Sequence, residues 1–258
     1  HESALAVSTF MDANSDSLEV YVSHSLGVLD QSEYEPIKDA TVELYRNGDL
    51  LHVFTGADDQ GTYKVKEIEP LGGDAATYRL EVAASKYESV SAEQVMPAAP
   101  IIDRLEYVED GALTEDGEKA DELRIFISDP AGIENYYAFN IRFDYANGSG
   151  GSGYYSNDLF LEYGTTWDML RDATFDGQQY VLKYLILNYG GEALQPGDRV
   201  IVESLSITED SYLHERSKNI YWEGTDNPFV EPVVVHENID RGHGIFSVSN
   251  STTKEVVF

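Results

Sequence analysis

Apolar and polar residues alternate at every second position in short runs along most of this chain, which is the pattern of strands with one buried face. Residues 5–10 (LAVSTF) and 18–23 (LEVYVS) are the first two runs, and with the polar stretch 11–17 between them they predict a hairpin. Residues 40–45 (ATVELY) alternate next. Asn47-Gly48 supplies a tight turn, and residues 50–54 (LLHVF) return. Asp58-Asp59-Gln60-Gly61 turns the chain into residues 62–65, and residues 78–82 (YRLEV) and 88–90 continue the alternation. Short strands at such regular spacing predict a small antiparallel sandwich.

Pro97-Ala98-Ala99-Pro100 interrupts the pattern with two prolines and no periodicity, and divides the chain into a domain of residues 1–98 and another of residues 99–258. Beyond it, residues 101–108, 123–127, 136–143, 180–187 and 198–207 read as strands, with 180–187 (YVLKYLIL) central. The acidic stretch 109–121 reads as a solvated loop, and residues 147–153 (NGSGGSG) as a flexible tip or a lid. Residues 165–173 predict a short helix with Trp167 and Leu170 inward. Residues 209–218 predict a second helix, with Thr208 before it, acids in its first turn and Arg216 and Lys218 in its last. Tyr212, Leu213 and Arg216 share one face of it.

The stretch from Asn227 to Asn250 (NPFVEPVVVHENIDRGHGIFSVSN) differs from the rest. Pro228 and Pro232 forbid a helix, Val233–Val235 read as a buried strand, Gly242 and Gly244 offer positive-φ corners, and residues 245–248 resume alternation. This is a shaped loop between strands: either a closing β-arch or a ligand surface built from Asn238, Asp240, Arg241, His243 and Phe246 with the neighbouring Trp222, Asn227 and Phe229.

Charge narrows the function classes. With 47 acidic residues against 17 basic ones the formal net charge is −30, which repels nucleic acid and anionic lipid. The 42% hydrophobic content supports a folded core. No cysteine is present, so disulfides and thiolate metal sites are excluded, and no apolar run is long enough to span a membrane as a helix. The chain opens on His1 and not on methionine, which implies an upstream segment.

Candidate chemistry is sparse. Asp12, Asn14 and Asp16 alternate like the first ligands of a calcium loop, but Ser17 and Ser23 stand where its glycine and bidentate glutamate belong, so an acidic turn is the alternative. His236 and His243 flank Glu237 and Asp240 without zinc-site spacing. The serine-hydrolase elbow G-x-S-x-G is absent, and the abundance of carboxylates makes any catalytic pair uninformative. Trp167, Trp222, Tyr154, Tyr155 and Tyr163 are candidates for stacking on a sugar, or are cross-strand packing residues.

Residues 37–95, through ATVEL, DDQGTY and YRLEV, resemble transthyretin-like and carboxypeptidase-regulatory-like sandwich modules. A broader resemblance rests on Asp129-Pro130 with Asn135-Tyr136-Tyr137, on residues 172–178 (DATFDGQ), on Pro196-Gly197-Asp198 with the Tyr212 helix, and on the motif closing at Gly242-His243-Gly244-Ile245-Phe246. These residues resemble a Bacteroidota family of predicted lipoproteins, domain of unknown function 4249, over nearly the whole chain. The resemblance implies an outer-membrane lipoprotein, held by an N-terminal lipid anchor and encoded beside TonB-dependent transporters. The anchoring cysteine is absent from this sequence.

The expected fold is therefore all-β and mainly antiparallel: an Ig-like or transthyretin-like sandwich, then a larger β-sandwich with one or two short helices. The expected function is a non-enzymatic envelope lipoprotein serving as an accessory subunit of an outer-membrane transporter. A stand-alone carbohydrate- or peptide-binding module and a hydrolase are the alternatives. No catalytic residue or cofactor is assigned, calcium at Asp12, Asn14 and Asp16 being the one cofactor weighed.

Overall fold

A computed structural model of the chain describes residues 3–26, 35–68, 71–72, 75–148, 150–188, 194–225 and 233–258. Packing divides the protein into two compact units, unit 1 from residues 1–98 and 207–250 and unit 2 from residues 99–206 and 251–258. Both are β structures, and among the described residues one α-helix is present.

In unit 1 the first strands are β1 (Leu5–Asp12), β2 (Ser17–His24), β3 (Thr41–Arg46), β4 (Asp49–Phe54), β5 (Thr62–Lys66), β6 (Thr77–Ala83) and β7 (Val90–Val95). β1 and β2 form the expected hairpin, with Val7 opposite Val22. Asn47 and Gly48 take positive φ (52° and 87°) in the turn between β3 and β4, as a tight hairpin requires. One sheet runs β4-β3-β6-β7, and the other contains β1-β2-β5. Leu5, Val7, Leu18, Val20 and Val22 from the second sheet meet Val42, Leu44, Tyr78, Leu80 and Val82 from the first in one core.

Unit 2 contains β8 (Ile101–Leu113), β9 (Lys119–Ser128), β10 (Tyr136–Asp144), β11 (Ser152–Tyr155), β12 (Leu161–Tyr163), β13 (Asp168–Arg171), β14 (Gln179–Asn188) and β15 (Arg199–Ile207), whose last residue falls to unit 1. One of its sheets has the order β11-β14-β9-β8, with β14 inside it as expected; the other has β12-β13-β10-β15. Leu123, Ile125 and Leu182 pack with Tyr137, Phe139, Val200 and Val202 between them.

Two local expectations are corrected here. Residues 109–121 are not a loop: β8 continues to Leu113 and β9 begins at Lys119, with the register shifting between Val108 and Ala112 around Asp110 (φ 51°). Residues 165–173 are not a helix. β13 pairs with β10, Leu170 opposite Tyr137, and only Asp172–Thr174 form a 3-10 turn.

The remaining elements are α1 (Glu209–Thr225) and β16 (His243–Val257). Residues 243–249 of β16 run parallel to β1, Val7 beside Gly244 and Thr9 beside Phe246. This pairing draws residues 207–250 into unit 1, whereas the single cut at Pro97–Pro100 leaves them in the second domain. It joins residues more than 200 positions apart in the chain, and no local signal announces it.

Candidate functional site

α1 begins at Thr208, whose carbonyl accepts the Tyr212 N–H at 3.0 Å and whose hydroxyl accepts the Ser211 N–H at 3.4 Å, capping the helix. The helix runs seven residues past Lys218. Ser211, Tyr212 and Glu215 are its buried residues, while Arg216, one turn on from Tyr212, is exposed. Ser211 and Ser247 join α1 to β16 through a hydroxyl–hydroxyl hydrogen bond of 2.7 Å.

The segment after α1 resumes at Val233. Val233–Val235 do not form a strand, and Val234 is 87% exposed. Residues 236–244 are nevertheless fixed at almost every position. His214 donates from Nδ1 to the His236 carbonyl (2.7 Å), and the His236 N–H donates to the Ser217 hydroxyl (2.8 Å). His236 Nε2 donates to Asp210 Oδ1 at 2.7 Å. The Asn238 amide pairs with the backbone of Phe246 in both directions, donating to its carbonyl (2.9 Å) and accepting its N–H (2.8 Å). Asp240 donates its N–H to Ser91, and Arg241 bridges to Glu88 and Asp240, each at 3.1 Å. Glu237 accepts from the Gly244 N–H and from His243 Nδ1.

The glycines serve close approach. A Cβ on Gly244, at φ +102°, would lie 2.1 Å from the Val7 carbonyl, and one on Gly242 would lie 2.7 Å from the Leu5 carbonyl. Arg241, not Gly242, supplies the other left-handed corner (φ 60°). The Gly-x-Gly motif is thus what lets β16 lie against β1.

The residues picked out by sequence therefore separate. Phe246 is fully buried and belongs to the core. Asn238 and Asp240 hold the loop; half-exposed on it, Arg241 is ion-paired with Glu88 and Asp240, and His243 is hydrogen-bonded to Glu237. Trp222 is 59% exposed. Asn227 and Phe229 lie outside the described residues. His236 and His243 each face a different carboxylate and do not converge. In the turn at Asp12, Asn14 and Asp16, the Asp12 carboxylate accepts the Asn14 N–H (2.9 Å) and the Ser249 hydroxyl (3.0 Å), so it closes the turn. Trp167 is half-buried, and Tyr163, half-exposed, donates its hydroxyl to the Ser156 carbonyl.

Two features were not singled out by sequence reasoning as sites. In unit 2, oxygens of Asp129, Asp172 and Asp176 lie within 4.8 Å of one another, the only such group among the described residues and one whose donors suit a hard divalent cation. Its carboxylates are already satisfied by the protein. Asp129 accepts the Tyr137 hydroxyl (2.5 Å) and the Gly177 N–H (2.8 Å), Asp172 the Asn135 N–H (2.8 Å) and Asp176 the Gly132 N–H (2.7 Å). Burial first, and then the charges of Asp129 and Asp176, push the Asp172 carboxyl up, despite the Asn135 hydrogen bonds. We read it as a knot joining two loops; its signal was the Asp129-Pro130 and DATFDGQ segments themselves.

The second feature is a stripe in unit 1, of which sequence reasoning had picked out Trp222 alone. Phe10 is 59% exposed, with its ring centroid 6.5 Å from that of His214. His214, Lys218, Tyr221 and Trp222 fall on one side of α1 by helical spacing, and Tyr221 and Trp222 meet edge to face at 5.8 Å. At the other end of the helix, Asp210 is half-buried. Burial raises its pKa, but hydrogen bonds from His236, Gln94 and Asn238 outweigh that and hold it below the ordinary carboxylate range.

Fold and site together define an all-β protein of two sandwich-like units, with a clamped glycine loop and an exposed aromatic helix end. The chain belongs to the family described as Domain of unknown function (DUF4249), whose family model matches residues 1–255. No curated protein matches it.

Proposed function

We propose that this protein is a non-enzymatic lipoprotein of the Bacteroidota cell envelope that docks on an outer-membrane TonB-dependent transporter as an accessory subunit. The envelope address rests on the family resemblance, with lipid carried by a cysteine upstream of these residues. The docking role rests on one observation: the aromatic stripe from Phe10 along α1 to Trp222, where Tyr221 is 45% and Trp222 59% exposed. Large aromatic side chains kept in solvent on a rigid helix are costly to solubility and are the residue types enriched at binding hot spots. The histidines and carboxylates around them are committed to holding the loop, which supports binding and not turnover.

The test places a photo-crosslinking residue at position 223, next to the stripe and with Trp222 left in place, in the natively anchored protein. The expected product is a covalent adduct with an outer-membrane transporter, absent when the same residue is placed at Leu113. An adduct formed equally from both positions, or none from 223, contradicts the proposal.

A further inference from the structure

Among the described residues, β7 ends the sheet β4-β3-β6-β7, so no described strand lies beside one side of its backbone. Just past β7, Met96 donates its N–H to the Ala76 carbonyl, toward the β6 side. Backbone groups alternate in direction along an antiparallel strand, so those of Ser91, Glu93 and Val95 point outward. The phase is fixed independently at Ser91, whose carbonyl accepts the Asp240 N–H at 2.8 Å in an isolated antiparallel bridge. The loop thus takes the first outward rung. Among the described residues, nothing is hydrogen-bonded to the outward backbone of Glu93 and Val95.

These open rungs border a cleft of about 340 Å³ lined by Glu93, Gln94, Val95, Thr208, Glu209 and Asp210. Among the described residues, every charged side chain in that lining is a carboxylate. Asp210 is held in one orientation by Gln94 (2.6 Å, itself 7% exposed) and by His236, and Val95 presents an apolar side chain, 52% exposed. Edges are commonly blunted by lysine, proline or a bulge. Residues 90–95 (VSAEQV) contain neither residue, and their register with β6 is unbroken.

We propose that the outer edge of β7 and this cleft bind an extended, basic segment of a partner protein by strand addition. The segment's backbone pairs with Glu93 and Val95, and a lysine or arginine side chain enters the cleft toward Glu209 and Asp210. A second copy of this chain, at a net charge of −30, is repelled as the occupant. The site lies at the opposite end of α1 from Trp222, so it stands or falls separately from the docking stripe.

The experiment titrates the full chain with the blocked peptide Ac-VKVKVT-NH2, with Ac-VEVEVT-NH2 and with spermidine, reading affinity by calorimetry and backbone protection by hydrogen exchange. The lysine peptide is expected to bind and to protect the amides of Glu93 and Val95. The variant Glu93→Gln/Glu209→Gln is expected to weaken it about fivefold or more. Glu115→Gln/Asp116→Asn, in the turn between β8 and β9, leaves its affinity unchanged. Spermidine, which brings charge without a backbone, protects neither amide. No binding of the lysine peptide, equal affinity in the Glu93→Gln/Glu209→Gln variant, or protection elsewhere only would overturn the proposal; the last two results mean attraction to the overall charge alone.

Discussion

Asn238 does with its side chain what a strand residue does with its backbone, giving one hydrogen bond to Phe246 and taking one from it. Asn238→Asp keeps the shape but turns the donor into a second acceptor facing the Phe246 carbonyl. It is expected to cost about 2 kcal/mol in chemical denaturation. An unchanged midpoint would contradict the assignment. At Gly244 the constraint is steric: any Cβ meets the Val7 carbonyl, and φ +102° is strained for other residues. Gly244→Ala is expected to destabilise by roughly 3 kcal/mol or more, because β16 must move off β1. Asp210 supplies a pH signature. Its folded pKa is depressed, so its contribution is fully present above the unfolded value, about 3.9, and is lost as pH falls through the lower folded value. The stability gap between the wild type and Asp210→Asn should therefore close as pH falls below about 4, read by denaturant titrations from pH 5 downward.

Among the elements, those legible in the sequence are those whose pattern is local. β1, β2, β3 and β6 alternate, each burying every second residue, and the Asn47-Gly48 turn is announced by its own chemistry. Residues 168–171 misled because Asp-Met-Leu-Arg is too short to carry a period, and pairing with β10 decided the outcome. The acidic run at 109–121 misled because an exposed hairpin carries charge as readily as a loop does. α1 was legible at its start, where Thr208 caps it, but not at its end, since Arg216 and Lys218 resemble a last turn and the helix continues. The clamped loop was the least legible part, since Asn238, His236 and Asp240 act through partners distant in sequence. That continuation of α1 is what carries the aromatic pair. Trp222→Ala removes a half-exposed side chain and is expected to change stability by less than about 1 kcal/mol, read by thermal melting, while abolishing partner binding. A large loss of stability would instead mark Trp222 as a packing residue.

The molecule as a whole sets the electrostatic frame. A net charge of −30 repels polyanions, and the proposed partners are accordingly ones that present basic groups. The division into units escapes sequence reading at the same point as the loop does. β16 belongs to both units, its first residues pairing with β1, while Val256 near its end and Phe258 just beyond it pack against the core of unit 2. The measurement to make first is purification of the natively anchored protein in mild detergent, with quantitative mass spectrometry of what accompanies it, for the wild type and for Trp222→Ala. The expected result is one TonB-dependent transporter in stoichiometric amount with the wild type and its loss from the variant. A wild-type protein that purifies alone, or a transporter retained equally by the variant, would contradict the docking role assigned to the α1 stripe.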